Sequence, residues 1–151
     1  MLKLIFYFFI LFSFSLFSQT QDSFMHDGET RNFVYFTPSN WNNENQLPLL
    51  IVLHGLTQTG NGIMDITEFN VIAESEGFVV CYPDGLNNSW NADMNALNSE
   101  VDDLGFIESL VSYFEDGFNT NPQMRYLTGF SNGGFLSHKI SSESDMCFAA
   151  I

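Results

Sequence analysis

Hydrophobic positions along the chain fall into short runs separated by polar, Gly- or Pro-bearing breaks. Arg31 to Thr37 alternates loosely and predicts an early strand closed by Pro38, followed by the Asn-rich loop Asn40 to Gln46. Leu49-Leu50-Ile51-Val52-Leu53 is an unbroken apolar run ending in His54-Gly55. Such a run suits a parallel strand buried on both faces, where neither side of the pleat meets water. Ile66, Phe69, Ile72 and Ala73 recur at helical spacing, with Gly77 placed as a C-terminal stop. Phe78 to Tyr82 predicts a second buried strand, ended by the turn residues Pro83-Asp84-Gly85.

Leu86 to Val101 reads as a long polar loop carrying Trp90. Asp102-Asp103 is placed to cap the next helix, where carboxylates satisfy free N–H groups and oppose the dipole. Leu104, Ile107, Leu110, Val111, Phe114 and Phe118 make one apolar helical face. Tyr126-Leu127-Thr128 predicts a third strand, Phe135, Leu136 and Ile140 a helix, and Phe148 to Ile151 the beginning of a further strand. Strand and helix in alternation predict an α/β fold, a mostly parallel sheet covered by helices, in one domain without repeats or linkers. Because the chain stops inside an apolar run, we expect residues 19–151 to be the N-terminal part of that domain.

Residues 1–18 change the picture of location. Lys3, an apolar run from Leu4 to Leu11 and a Phe/Ser stretch ending at Ser18 have the layout of a secretory signal peptide. An uncleaved membrane anchor is the alternative, disfavoured by Ser13, Ser15 and Ser18. We therefore expect a secreted, extracellular protein that does not stay on the membrane. The formal charge of −14, from 18 Asp+Glu against 4 Lys+Arg, repels phosphate backbones and anionic lipid. Nucleic acid and membrane surfaces are excluded as partners on that ground. Export permits a disulfide between Cys81 and Cys147, but both sit in apolar strand-like runs, and two buried free thiols fit equally.

Gly129-Phe130-Ser131-Asn132-Gly133 fits G-x-S-x-G, directly after a strand signal and directly before a helix signal. The chemistry needs serine on a turn so tight that its hydroxyl stands clear of the backbone, and the glycines relieve the crowding. Ser131 is the candidate nucleophile. In that arrangement one oxyanion donor is the backbone N–H of the next residue, Asn132. A second comes from the loop after the first buried strand, most simply Leu56 in His54-Gly55-Leu56-Thr57. His54 precedes the serine, against the order Ser, Asp/Glu, His, and reads as a hydrogen-bonded structural residue. His138 lies seven residues along the nucleophile helix, about ~10 Å down its axis, out of reach of the hydroxyl. His26 precedes the predicted sheet and has no assigned role. The base, and the acid that orients it, are expected beyond Ile151, so residues 19–151 alone are expected to be inactive.

Five motifs occur together in order: Leu49 to Gln58, Tyr82-Pro83-Asp84-Gly85, Ser89-Trp90-Asn91-Ala92, Val101 to Phe106, and Gly129 to Gly134. The set resembles the secreted polyhydroxybutyrate depolymerase and feruloyl/acetylxylan esterase family, related to carbohydrate esterase family 1. The resemblance implies an extracellular α/β-hydrolase that cleaves carboxylic esters through an acyl-enzyme on Ser131, with no metal or cofactor. It places the oxyanion donors near Leu56 and Asn132, and Asp102-Asp103 in a helix-starting role. It also puts Trp90 near the substrate, whereas the residues alone fit a loop anchor packed on the core equally well. Many members carry cysteine where this chain has Leu56. A peptidase of the same fold and a non-catalytic secreted binding protein are the alternatives.

Overall fold

The computed structural model describes residues 19–93 and 100–151, so the segment read as a signal peptide lies outside the described residues, as does part of the Trp90 loop. Among the described residues five strands form one sheet: β1 (Thr20–His26), β2 (Glu29–Phe36), β3 (Leu47–Leu53), β4 (Val79–Pro83) and β5 (Thr120–Gly129), in the spatial order β1-β2-β4-β3-β5. The strand β3 runs parallel to both β4 and β5, while β1 and β2 join as antiparallel strands at one side. The α-helices α1 (Gly60–Thr67), α2 (Phe69–Glu76), α3 (Asp103–Phe118) and α4 (Asn132–Glu143) cover it.

The apolar run of β3 is continuous because both of its faces are covered. Leu49, Ile51 and Leu53 point into a core shared with Phe106, Ile107, Leu110, Val111 and Phe114 of α3 and with Leu136 and Ile140 of α4. Val52 faces the other way, into a smaller core with Ile63 and Met64 of α1 and Ala73 of α2. The predicted face of α3 is the one it buries, with Leu104 and Phe118 half-buried at its margins.

Four expectations change. The sheet begins earlier than Arg31: β1 is an edge strand whose side chains are mostly exposed, so it carries no hydrophobic run. Its sequence signal is Asp27-Gly28, a two-residue hairpin with φ of 49° and 80°, the geometry Asp-Gly favours. The helix predicted through Ile66 to Ala73 is two helices, broken where Glu68 takes φ 52°. Ile66 and Ile72 are 66% and 46% exposed, and α1 uses Gly60, Ile63 and Met64 as its buried face instead. The strand expected from Phe148 is a single parallel bridge, Tyr126 to Ala150, with Leu127 N–H donating to the Ala150 carbonyl at 3.1 Å. Cys81 is buried and free, its thiol pushed well up by burial, and Cys147 is free but exposed, standing between Met146 and Phe148, which pack half-buried against the core.

Asp102 caps α3 as expected, its Oδ1 accepting from Gly105 N–H at 2.9 Å. Asp103 does something else. It is 1% exposed and pairs with the equally buried Arg31 (Nη2 to Oδ1 2.5 Å), while its Oδ2 accepts from Asn91 N–H at 2.6 Å. The guanidinium lies 3.8 Å over the Phe106 ring. Burial pushes the Asp103 carboxyl above the usual carboxylate range, against the pull of the Asn91 N–H and Arg31. His26, at the end of β1, joins the same end of α3: its Nε2 is 3.0 Å from Asp102 Oδ2 and its Nδ1 3.3 Å from Ser109 Oγ.

Removing one partner of a buried ion pair strands the other charge, at a cost of about 3–5 kcal/mol, whereas apolar replacement of both costs little. Urea denaturation at neutral pH should therefore show Arg31→Met strongly destabilised and Arg31→Met/Asp103→Leu regaining much of the loss. A double variant no more stable than Arg31→Met would contradict this account of the pair.

Candidate active site

Ser131 occupies the corner between the end of β5 and the start of α4, with φ 51° and ψ −114°, a backbone conformation that residues other than glycine rarely adopt. The side chain is exposed, and among the described residues its hydroxyl makes no hydrogen bond. The flanking glycines are required by close approach. A Cβ on Gly133 would enter the backbone carbonyls of Leu53 and His54, and one on Gly129 would enter the backbone of Gly133. Phe130 N–H donates to the Leu53 carbonyl at 3.0 Å, tying the corner to the end of β3.

The end of β3 brings the second segment. Gly55 N–H donates to Gln58 Oε1 at 2.8 Å, Gln58 N–H to the Gly55 carbonyl at 3.1 Å, and Thr57 N–H to the Asn88 carbonyl at 2.8 Å. Thr57 takes φ 66° to make this turn. Leu56 is 41% exposed, and its N–H has no hydrogen-bond partner among the described residues. The N–H of Asn132, the first residue of α4, is likewise without a partner among them. The ring of Phe130 would touch a Cβ on Gly55, so the two segments are in contact.

His54 is the structural residue that its place in the chain implied. It is fully buried, its Nδ1 is 2.8 Å from the Gly55 carbonyl, and its Nε2 accepts from Gly85 N–H at 2.9 Å. Those partners require the neutral tautomer with the proton on Nδ1. Burial lowers its pKa below the ordinary histidine value, only partly opposed by the Gly55 carbonyl and Asp84. His138 is exposed on α4, and among the described residues no histidine hydrogen-bonds Ser131.

Trp90 is completely buried, with its ring centroid 4.8 Å from that of His54 and its indole N–H donating to the His54 carbonyl at 2.9 Å. This burial favours the loop-anchor reading over direct contact with a substrate. What sequence reasoning missed is the partner of its backbone. The Asn132 side chain accepts from Trp90 N–H (2.8 Å) and donates to the Trp90 carbonyl (3.2 Å), and Asn132 itself is only 5% exposed. No local pattern announces a bond across 42 positions. Phe130 (60% exposed) and Phe135 (47% exposed) leave an apolar rim beside Ser131, next to a hollow of about 140 Å³ lined by Val52, Ile63, Phe69 and Phe130 among others.

An esterase family, described as "Putative esterase", matches residues 26–149. The chain belongs to this esterase family. It is 30% identical over 116 residues to the bifunctional acetylxylan esterase/xylanase XynS20E of Neocallimastix patriciarum, covering 77% of this chain and 16% of that protein. It is 23% identical over 126 residues to feruloyl esterase D of Neurospora crassa, covering 76% of this chain and 41% of that one. An acetyl xylan esterase structure from Aspergillus awamori superposes with a TM-score of 0.72 at 20% identity, over 88% of this chain and 50% of the other. The fold is that of the α/β-hydrolase esterases, as expected. The esterase chain spans half or less of the length of these relatives.

His54 carries a testable pH dependence. Its folded-state pKa is depressed, so below the ordinary value near 6.5 the unfolded chain takes up a proton that the folded chain refuses. Stability is therefore lost as pH falls from 6.5 toward the folded value. Unfolding free energies at pH 7 and pH 5 should fall more for the wild type than for His54→Gln, and equal slopes would rule out the neutral buried imidazole.

Proposed function

We propose that this chain carries the nucleophile and the oxyanion donors of a secreted serine esterase. The observation that supports it best is the exposed Ser131 at φ 51° on a strand-to-helix corner, with two N–H groups, Leu56 and Asn132, that have no partner among the described residues, on the segments in contact there. Ser131 Oγ attacks the carbonyl carbon of a carboxylic ester and its proton passes to a histidine supplied from outside residues 19–151. The alkoxide-like oxygen rests on the Leu56 and Asn132 N–H groups, each worth about 3 kcal/mol to the tetrahedral intermediate. The protonated histidine then gives its proton to the leaving alcohol, and water releases the acid from the acyl-enzyme. No step calls for a metal or cofactor.

The substrate class is that of the relatives' names: acetyl or feruloyl esters on plant polysaccharide, with hydroxyalkanoate polyesters as the second possibility. The apolar rim of Phe130 and Phe135 suits either acyl group. Trp90 contributes from beneath, by holding the loops in place. Among the described residues no helix is long and apolar enough to cross a membrane. Export rests on the Lys3-to-Ser18 pattern.

The test uses the protein read through the 3′ end of its gene, beside Ser131→Ala, on ethyl ferulate, p-nitrophenyl acetate and a hydroxybutyrate oligomer. We expect ester cleavage that falls by about 10⁴-fold or more in Ser131→Ala. Ferulate release would favour the polysaccharide role and oligomer cleavage the polyester role, while p-nitrophenyl acetate reports esterase activity of either kind. Cleavage that survives Ser131→Ala would remove the serine-esterase reading. Residues 19–151 alone are expected to show no turnover above background on p-nitrophenyl acetate, and Ser131-dependent turnover by them would show that the base lies within the chain.

A further inference from the structure

The two proposed oxyanion donors sit on different segments, Leu56 after β3 and Asn132 after β5. The bond from Phe130 N–H to the Leu53 carbonyl joins those strands but stops short of both donors. Their link runs through a third segment. The Asn132 carboxamide grips the Trp90 backbone twice, by Oδ1 to its N–H (2.8 Å) and Nδ2 to its carbonyl (3.2 Å). The Trp90 indole then donates to the His54 carbonyl at 2.9 Å, and the Asn88 carbonyl receives Thr57 N–H at 2.8 Å. His54 and Thr57 thus bracket Gly55-Leu56 with bonds to the Asn88–Trp90 segment.

We propose that Asn132 is a positioning residue through its side chain: with Trp90 it forms a tie bar that holds the Leu56 donor in register with the Asn132 donor. This rests on the serine-esterase reading and deepens it. Asparagine suits the position because it offers a donor and an acceptor side by side, and the Trp90 peptide needs one of each. The clamp is buried, so each bond is made in a low dielectric, where an unmet partner is costly. Nothing else among the described residues accepts from the Trp90 N–H. Substituting alanine removes the clamp but keeps the Asn132 backbone N–H, which separates positioning from donation.

Amide exchange followed by NMR tests the tie bar on the chain itself, using Asn132→Ala, Asn132→Asp and, as a destabilised control, Ile107→Val in the α3 core. Exchange of Thr57 N–H and of the Trp90 indole N–H is measured relative to amides of β4, which removes any global loss of stability. In Asn132→Ala this ratio should rise about tenfold, the effect expected for loss of one to two buried hydrogen bonds. Asn132→Asp, which keeps the acceptor and loses the donor, should give a smaller rise, and Ile107→Val none. A ratio in Asn132→Ala equal to that of the wild type overturns the proposal. In the protein read to the end of its gene, Asn132→Ala should lower kcat on p-nitrophenyl acetate about tenfold with KM unchanged. An unchanged kcat also overturns it. Cleavage that persists in Ser131→Ala removes the esterase reading alone, because the exchange ratio still decides whether the tie bar exists.

Discussion

The site depends on one close approach: the Cα of Gly133 against the carbonyl oxygens of Leu53 and His54. Only hydrogen fits between them. That contact sets the first turn of α4 directly on the end of β3, and from it follow the position of Ser131, the direction of α4 and the proximity of the His54–Thr57 loop. The parallel pairing of β3 with β5 brings the two strand ends level, Leu53 opposite Gly129. Helices α3 and α4 then hold the pair from one face through Leu110, Leu136 and Ile140.

Around that contact the polar groups are used economically. His54 spends one nitrogen on its own loop and the other on Gly85, while its carbonyl receives the Trp90 indole. Asp103 holds Arg31 from β2 and the Asn91 N–H from the Trp90 loop. The loop therefore connects the antiparallel edge of the sheet to the Ser131 corner without any apolar run of its own.

Legibility in the sequence followed burial. Leu49–Leu53 was readable because burial on both faces leaves an unbroken apolar run, and the stripe of α3 because burial on one face leaves a helical period; the order of residues carries both. The strand β1 was not, because an edge strand with exposed side chains carries no such period; only Asp27-Gly28 marked it. The break at Glu68 was also hidden, since glutamate is a good helix former and its φ of 52° is imposed by the packing of two short helices rather than by its own preference. At the site, the corner around Ser131 was readable because steric demand forces glycine at 129 and 133, and steric demand leaves a local signature. The Arg31–Asp103 pair and the Asn132 clamp span 72 and 42 positions and leave none. Asp103 looked like a cap for that reason: its neighbour Asp102 is one.

The backbone of Ser131 has an evolutionary consequence. A serine held at φ 51° and ψ −114° stores conformational strain on the order of 1–3 kcal/mol, which glycine at the same position would largely relieve. Selection for robustness alone would thus drift toward a glycine corner, with a more heat-resistant protein and no hydroxyl. A lineage that keeps serine there forgoes that gain in every generation, so the residue's persistence in a descendant marks ongoing demand for its chemistry, and its replacement by glycine would date the loss of that demand.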